Sequence, residues 1–584
     1  MQRHGAHVED ATSACFALWA PDARSVSLEL QHQDAVDLVP DDDDDDDGWF
    51  IGTAPAKPGD LYRYCINGEL RVADPASRFQ PEGVHGPSQV VDLAGYTWQH
   101  PWQGRPWHEA VIQELHVGVL GGYEGVSSHL HRIASTGITA IELMPISQFP
   151  GTRNWGYDGV LPYAAQHNYG TPEQLCSLVD QAHGHGLMVM LDVVYNHFGP
   201  DGNFLHEYAS SFFREDRQTP WGAAIDFRRP EVREYFIQNA LLWICDYRID
   251  GLRLDAVHAI DQPDFLKELA KRVREAVEPG RHVWLVLENE HNQAFLLEQG
   301  FDAQWNDDGH NALHVLLTDE TEGYYEDYKD DPIGKLARCL GEGFVFQGQL
   351  NRHGEPRGEP SGHLPPSAFV LFLQNHDQIG NRAMGERLTR LTSPAALRAA
   401  TGLLLLSPMI PLLFMGDDDG SRAPFLFFTD FHDELADAVR EGRRGEFEHF
   451  AAFADPEKRA RIPDPNAEQT FHASRPDPQD VIAGWHGLYQ QLLTTRRQHL
   501  VPRLPGTRSL GAEVLADKAL TARWQLGDGS TLRIDLNLGD QAQHLAAAPA
   551  GTCLFDSGDK AHAGSTLSPF SCVVTLLPPN QEMP

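Results

Sequence analysis

The chain has 584 residues, enough at roughly 150 per domain for about four units, or for fewer if one of them is a barrel enzyme. With 41% hydrophobic and 22% charged residues, 52 Gly and 39 Pro, the composition is that of a folded globular protein and excludes global disorder and fibrous repeats. The formal net charge of −37, from 46 Lys and Arg against 83 Asp and Glu, repels phosphate backbones and anionic headgroups, so neither nucleic acid nor a membrane is an expected partner.

A neutral ligand feels no such repulsion, and 12 Trp, 15 Tyr and 28 Phe supply apolar faces on which sugar rings or other flat ligands can stack. The seven cysteines form no CxxC pair and no zinc spacing, so the chain reads as reduced, cytoplasmic and without a metal site. Residues 1–10 hold no apolar segment of signal-peptide type. The most apolar stretch, 402–416, is shorter than the roughly 20 residues of a span and is interrupted by Pro408 and Pro411. It reads as a helix end, a turn and a buried strand.

In chain order, residues 1–100 have strand grammar. Val26, Leu28 and Leu30 alternate with Ser25, Ser27 and Glu29, and an Asn67-Gly68 turn pair follows the run 61–66, which predicts a small N-terminal β-sandwich. Seven aspartates at 41–47 cannot pack together and are expected to form a solvated loop between two strands; a homopolymer lacks the spaced ligands of a calcium site.

Residues 101–500 alternate helical patterns with apolar runs at 111–115, 138–146, 187–194, 251–257, 283–289, 301–305, 369–375 and 410–415. Eight such runs predict an α/β architecture, a (β/α)8 TIM-barrel catalytic domain. One helix is legible in detail, with Thr171 and Gln174 as a capping box, Pro172 at the first position, a buried stripe of Leu175, Leu178, Val179 and Ala182, and Gly184 and Gly186 at its end. Residues 501–584 return to alternation. Leu520, Ala522, Trp524 and Leu526 precede Asp528-Gly529, and Leu532, Ile534, Leu536 and Leu538 follow it, which predicts a C-terminal β-sandwich.

Barrel enzymes carry their reactive groups at the C-terminal ends of the strands. Those ends read DVVYNH at 192–197, GLRLD at 251–255, LEN at 287–289 and QNHD at 374–377, which gathers Asp255, Glu288 and Asp377 on one rim with Arg253, His197 and His376. Cutting a glycosidic bond takes one carboxylic acid to protonate the leaving oxygen and one carboxylate to attack or stabilise the anomeric carbon. An isolated acid in a sequence is more often a salt-bridged structural residue, but three at strand ends, each beside a polar partner, favour catalysis. Asp192 and Asn196 read as loop braces rather than substrate contacts.

These four segments, in this order, resemble the signature regions of the α-amylase superfamily of glycoside hydrolases. Within it, residues 154–160 (NWGYDGV), 305–315 (WNDDGHNALHV), 375–388 (NHDQIGNRAMGERL) and 424–430 (PFLFFTD) resemble the malto-oligosyltrehalose trehalohydrolase family, and the likeness runs over nearly the whole chain. The resemblance implies Asp255 as nucleophile, Glu288 as general acid/base and Asp377 as the carboxylate that holds the reacting sugar. It also implies that Arg253 keeps Asp255 ionised, that His197 and His376 bind sugar hydroxyls, that Tyr157 stacks on the sugar, and that His258 contacts the leaving side. The implied activity is retaining hydrolysis of the α-1,4 bond next to the terminal trehalose of a malto-oligosyltrehalose, with no cofactor. One departure stands out: Asp417-Asp418-Asp419 follows Met415-Gly416 where the family carries Glu-Glu-Trp. Together with His258, residues 417–422 are expected to supply specificity on the leaving side. The alternatives are a branching or α-amylase-like enzyme with the same machinery, and a non-catalytic carbohydrate-binding protein.

Overall fold

The computed structural model describes residues 3–41, 48–219, 222–546, 548, 550–558 and 562–579. The eight predicted apolar runs form a closed parallel barrel whose strands are adjacent in chain order: β1 (Ile112–Leu115), β2 (Ala140–Leu143), β3 (Met188–Val193), β4 (Gly251–Leu254), β5 (Trp284–Leu287), β6 (Ala303–Trp305), β7 (Phe369–Phe372) and β8 (Ile410–Phe414). Each ladder is shorter than or equal to the apolar run that predicted it. Residues 138–146, for example, pair only over Ala140–Leu143, and the remainder leaves the ladder to build the rim.

Side chains on a strand alternate between two faces, so one phase of each barrel strand points inward. Ile112, Ala140, Met188, Met190, Val286, Trp305, Phe372 and Leu412 share one apolar cluster, and this fixes the inward phase. Following that phase toward the C-terminal ends gives Glu114 on β1, Glu142 on β2, Asp192 on β3, Arg253 and then Asp255 on β4, and Glu288 after β5. The lower layers of the barrel are therefore apolar and the top layer ionic. The pairing register sets Glu142 across from Glu114 and Asp192 across from Arg253.

Helix α1 (Pro172–Gly184) starts at the predicted capping box, with Thr171 and Gln174 bonded reciprocally. Its stripe of Leu175, Leu178, Val179 and Ala182 is fully buried. The apolar stretch at 402–416 is the end of helix Pro394–Leu406, a turn, and β8. Among the described residues no helix is long and apolar enough to cross a membrane.

Before the barrel, seven strands between Gly5–Asp10 and Leu70–Val72 form two leaves, and strand Val36–Pro40 bonds to both of them. Phe16 on one leaf meets Tyr62 on the other edge-on at 5.0 Å, which is the packing contact of a sandwich. Asn67 and Gly68 both take positive φ, 53° and 77°, as a tight two-residue hairpin turn requires. Of the aspartate run, residues 42–47 lie outside the described residues; Asp41 directly follows strand Val36–Pro40. After the barrel, a five-stranded sheet containing Ala519–Gln525 and Thr531–Asn537 and a smaller three-stranded sheet make the C-terminal unit, with Leu520, Ala522, Trp524 and Leu532 fully buried.

Candidate active site

Arg253 organises the centre of the rim. Its Nη1 lies 2.7 Å and 2.8 Å from the two oxygens of Asp192 and 2.7 Å from Asp255 Oδ1, while Nη2 is 3.8 Å from Glu288. Below it, Trp305 on β6 presents its ring face 4.1 Å from the guanidinium carbon. A buried cation of this kind is tolerable because the inward carboxylates neutralise it. Asn196 donates from Nδ2 to the second oxygen of Asp255 at 3.1 Å, so both oxygens of that carboxylate are held.

Glu288 sits beside this pair but in a different electrical setting. Its Oε2 accepts the Ala256 N–H at 2.5 Å, a bond that the left-handed backbone of Ala256 (φ 41°) aims at it. Burial pushes its carboxyl well above the usual carboxylate range, and the Asp255, Asp307 and Asp377 charges add to that against the pull of Arg253. Exposure rises outward across the acids, from 14% for the Asp255 side chain and 18% for Glu288 to 46% for Asp377.

Asp377 is the second residue of the short helix α3 (His376–Gly380). The helix is started by an Asn375–Gln378 capping box, and Asn381 Nδ2 bonds Asp377 Oδ1 at 3.1 Å. His376 is held from below by Glu114, which accepts from its backbone N–H at 3.0 Å and from its ring Nδ1. Burial opposes a charge on this ring, but Glu114 and Asp377 outweigh it and raise His376 to about 9, so the ring is a cation at neutral pH. Tyr157 stacks on His376 at 5.1 Å and donates its hydroxyl to Asp192 Oδ2 at 2.6 Å.

The structure thus brings Asp255, Glu288, Asp377, Arg253, His376 and Tyr157 together. His197 stands alongside, with Nε2 3.0 Å from the Tyr157 carbonyl oxygen and Nδ1 against the Asn196 side chain. In this arrangement it braces Tyr157 and Asn196. His258 lies on the turn after β4, with its Nδ1 3.4 Å from the Glu290 N–H and its ring 5.5 Å from that of His291; burial lowers its pKa.

Within residues 417–422, the expectation for the three aspartates requires correction. Asp417 accepts from Gln374, the Phe414 N–H and Arg387, and Asp418 accepts from Gln113 and Arg132. Asp419 pairs with Arg132 at 3.0 Å and with His486 at 3.3 Å. These carboxylates are consumed by structural pairs and do not line the cavity at the acids. Asp418, Asp419 and His486 are close enough together for a cation, but the Arg132 guanidinium already supplies the positive charge there.

Three acids escaped the sequence reading. Asp192 reads as a brace in the sequence, yet it takes Nη1 of Arg253 with both of its oxygens and anchors Tyr157; burial raises it to about 6 against the Arg253 charge. Glu114 and Asp307 lie outside the four strand-end segments that mark the rim. The signal for Glu114 was available, because a charged residue on the inward phase of the apolar run 111–115 needs a buried partner. Glu142 is a related case: it is fully buried, neither oxygen has a hydrogen-bond partner among the described residues, and burial with Glu114 and Asp192 nearby pushes its carboxyl well above the usual range.

A cavity of about 650 Å³ opens from Glu288 and Asp377, and its wall includes Asp307, Tyr324, Arg357 and Phe450. That is room for several sugar rings, with aromatic faces and charged hydrogen-bonding groups around it.

The Glu114–His376 pair gives a first test. Glu114→Gln removes the partner that raises the buried ring most, so His376 should lose its proton at a lower pH than about 9. The expected result is a fall in kcat/KM of about tenfold or more at pH 8, partly recovered as the pH is lowered and the ring takes up its proton. An unchanged pH profile would separate the charge on His376 from catalysis.

Known proteins resemble this chain along its length. The family profile described as "Alpha amylase, catalytic domain" matches residues 87–222, and a domain of unknown function (DUF3459) matches 507–574. A malto-oligosyltrehalose trehalohydrolase from Rhizobium sp. (strain M-11) is 37% identical over 578 residues, covering 94% of each chain. One from Saccharolobus solfataricus is 37% identical over 512 residues, covering 84% of this chain and 86% of its own. A solved Salmonella typhimurium protein, itself only provisionally described as an alpha amylase, superposes with a TM-score of 0.92 at 40% identity, covering 99% of this chain and all of its own.

Proposed function

The chain belongs to the malto-oligosyltrehalose trehalohydrolases of the α-amylase superfamily, and from that premise we propose the roles of its residues. It is a glycoside hydrolase that cuts the α-1,4 bond next to the terminal trehalose of a malto-oligosyltrehalose, releasing trehalose and a shortened maltodextrin. In the proposed mechanism Asp255 attacks the anomeric carbon of the sugar bound over Tyr157 while Glu288 gives its proton to the departing oxygen. Trehalose leaves, Glu288 then takes a proton from water, and that water releases the sugar from Asp255, so the anomeric configuration is retained. Asp377, with His376 behind it, grips hydroxyls of the sugar in the cleavage subsite, and Arg253 holds the Asp255 side chain in place at 2.7 Å. His258 is assigned to the leaving side, and His197 to the cleavage subsite through its hold on Tyr157. No step requires a cofactor. The domain limits we assign are 1–100, 101–500 and 501–584, and a cytoplasmic setting fits seven free thiols.

The observation that carries the assignment is the contrast across Arg253. One guanidinium holds Asp255 at 2.7 Å and leaves Glu288 at 3.8 Å, buried and pushed toward its protonated form. A site that needs one ionised and one protonated carboxyl separates them in this way. The test of function is product analysis. Maltotriosyltrehalose should give free trehalose and maltotriose, with a higher kcat/KM than maltopentaose. New α-1,6 branches, or equal rates on the two substrates, would return the chain to the branching or amylase alternatives.

A further inference from the structure

The run Asn306-Asp307-Asp308 begins helix α2 (Asp307–Thr318) directly after β6, and two of its three side chains are committed to the fold. Asn306 caps the helix through the Gly309 N–H. Asp308 is buried and accepts from Asn292, the Val345 and Phe346 N–H groups and the Tyr328 hydroxyl, with Arg357 at 3.2 Å. Adjacent helical residues point about 100° apart. Asp307 accordingly faces elsewhere, into the wall of the cavity that also holds Glu288 and Asp377. Among the described residues no side chain or backbone N–H donates to its carboxylate. Burial, with the Asp377 charge next in order among the raising causes, lifts it to about 7.

We propose that Asp307 is a specificity-determining residue that accepts hydroxyls of the leaving disaccharide, the chemistry by which this site distinguishes a trehalose end from a linear chain. The proposal rests on the trehalohydrolase reading. Glu288 must stand at the scissile oxygen, so the sugar beyond that oxygen lies on Glu288's side, where Asp307 shares its cavity. In its ionised form, which hydroxyl donors bound there favour, this side chain offers acceptors only, and a sugar offers hydroxyl donors, which makes the two complementary. Trehalose presents a second, 1,1-linked ring whose hydroxyls project differently from those of a 1,4-linked unit, so a fixed acceptor satisfied by one is left unpaired by the other.

The experiment measures kcat/KM for maltotriosyltrehalose and for maltopentaose in the wild type, Asp307→Asn and Asp307→Ala, each at its own pH optimum, together with inhibition by free trehalose. The expected result is that the preference for the trehalose-ended chain drops about tenfold or more in Asp307→Ala and that trehalose inhibits the variant more weakly. A preference within about threefold of wild type in both variants overturns the proposal, and this includes the case in which both substrates slow together because Asp307 acts only on the proton of Glu288. A wild-type enzyme with no preference at all would instead sink the functional reading, and this proposal with it, before any variant is compared.

Discussion

Asp255→Asn should abolish turnover while sparing binding. The amide has nearly the shape of the carboxylate and keeps one acceptor oxygen, Asn196 keeps its bond to the backbone carbonyl of residue 255, and Arg253 keeps its bonds to both oxygens of Asp192, so the rim should hold its geometry apart from one lost hydrogen bond. What disappears is the attacking charge, without which the covalent glycosyl-enzyme cannot form. We expect kcat to fall by about 10⁴ or more. The dissociation constant for maltotriosyltrehalose, read by calorimetry on the inert variant, should stay within about tenfold of the wild-type KM. Retention of more than about a tenth of the activity would rule out Asp255 as nucleophile.

Glu288→Gln should separate substrates by their leaving groups. Trehalose is a poor leaving group and needs the proton, so its release should slow by about 10² to 10⁴, the usual worth of a general acid. Release of an activated phenol from an aryl α-glycoside needs little protonation and should suffer much less in the first step. The pH dependence follows from the direction in which Glu288 is displaced. Its pKa is raised chiefly by burial, with the Asp255, Asp307 and Asp377 charges adding to that against the pull of Arg253, so the protonated acid persists above the usual carboxylate range. Activity is lost as the pH rises through that raised value, and this alkaline limb should vanish in the Gln variant assayed on aryl glycosides. Equal losses on both substrate types would deny Glu288 the role of acid.

Much of the architecture can be read locally. The strand-period alternation of 26–30 and 520–538, the Asn67-Gly68 turn and the Thr171–Gln174 box each depend on residues a few positions apart, and each forms where predicted. The eight apolar runs close a barrel for the same reason: a strand buried on both faces must be apolar wherever it lies in the chain. Site candidates such as Asp255, Glu288 and Asp377 follow from position at strand ends.

What the sequence could not decide is which charges meet. Glu114 and His376 are 262 positions apart and become partners because β1 and the turn after β7 open onto the same rim. Asp192 turns from a loop brace into an anchor for Arg253 because β3 and β4 are neighbours in register. Asp417–Asp419 were expected near substrate by position, but Arg387 and Arg132 arrive from other elements and claim them. The neighbours Asp307 and Asp308 look interchangeable in the sequence, and the phase of helix α2 sends one into a buried network and the other to the cavity. Secondary structure answers to short-range periodicity and capping, which the sequence carries by itself. Ion pairing and desolvation answer to distances across the barrel, and those exist only once the strands have closed.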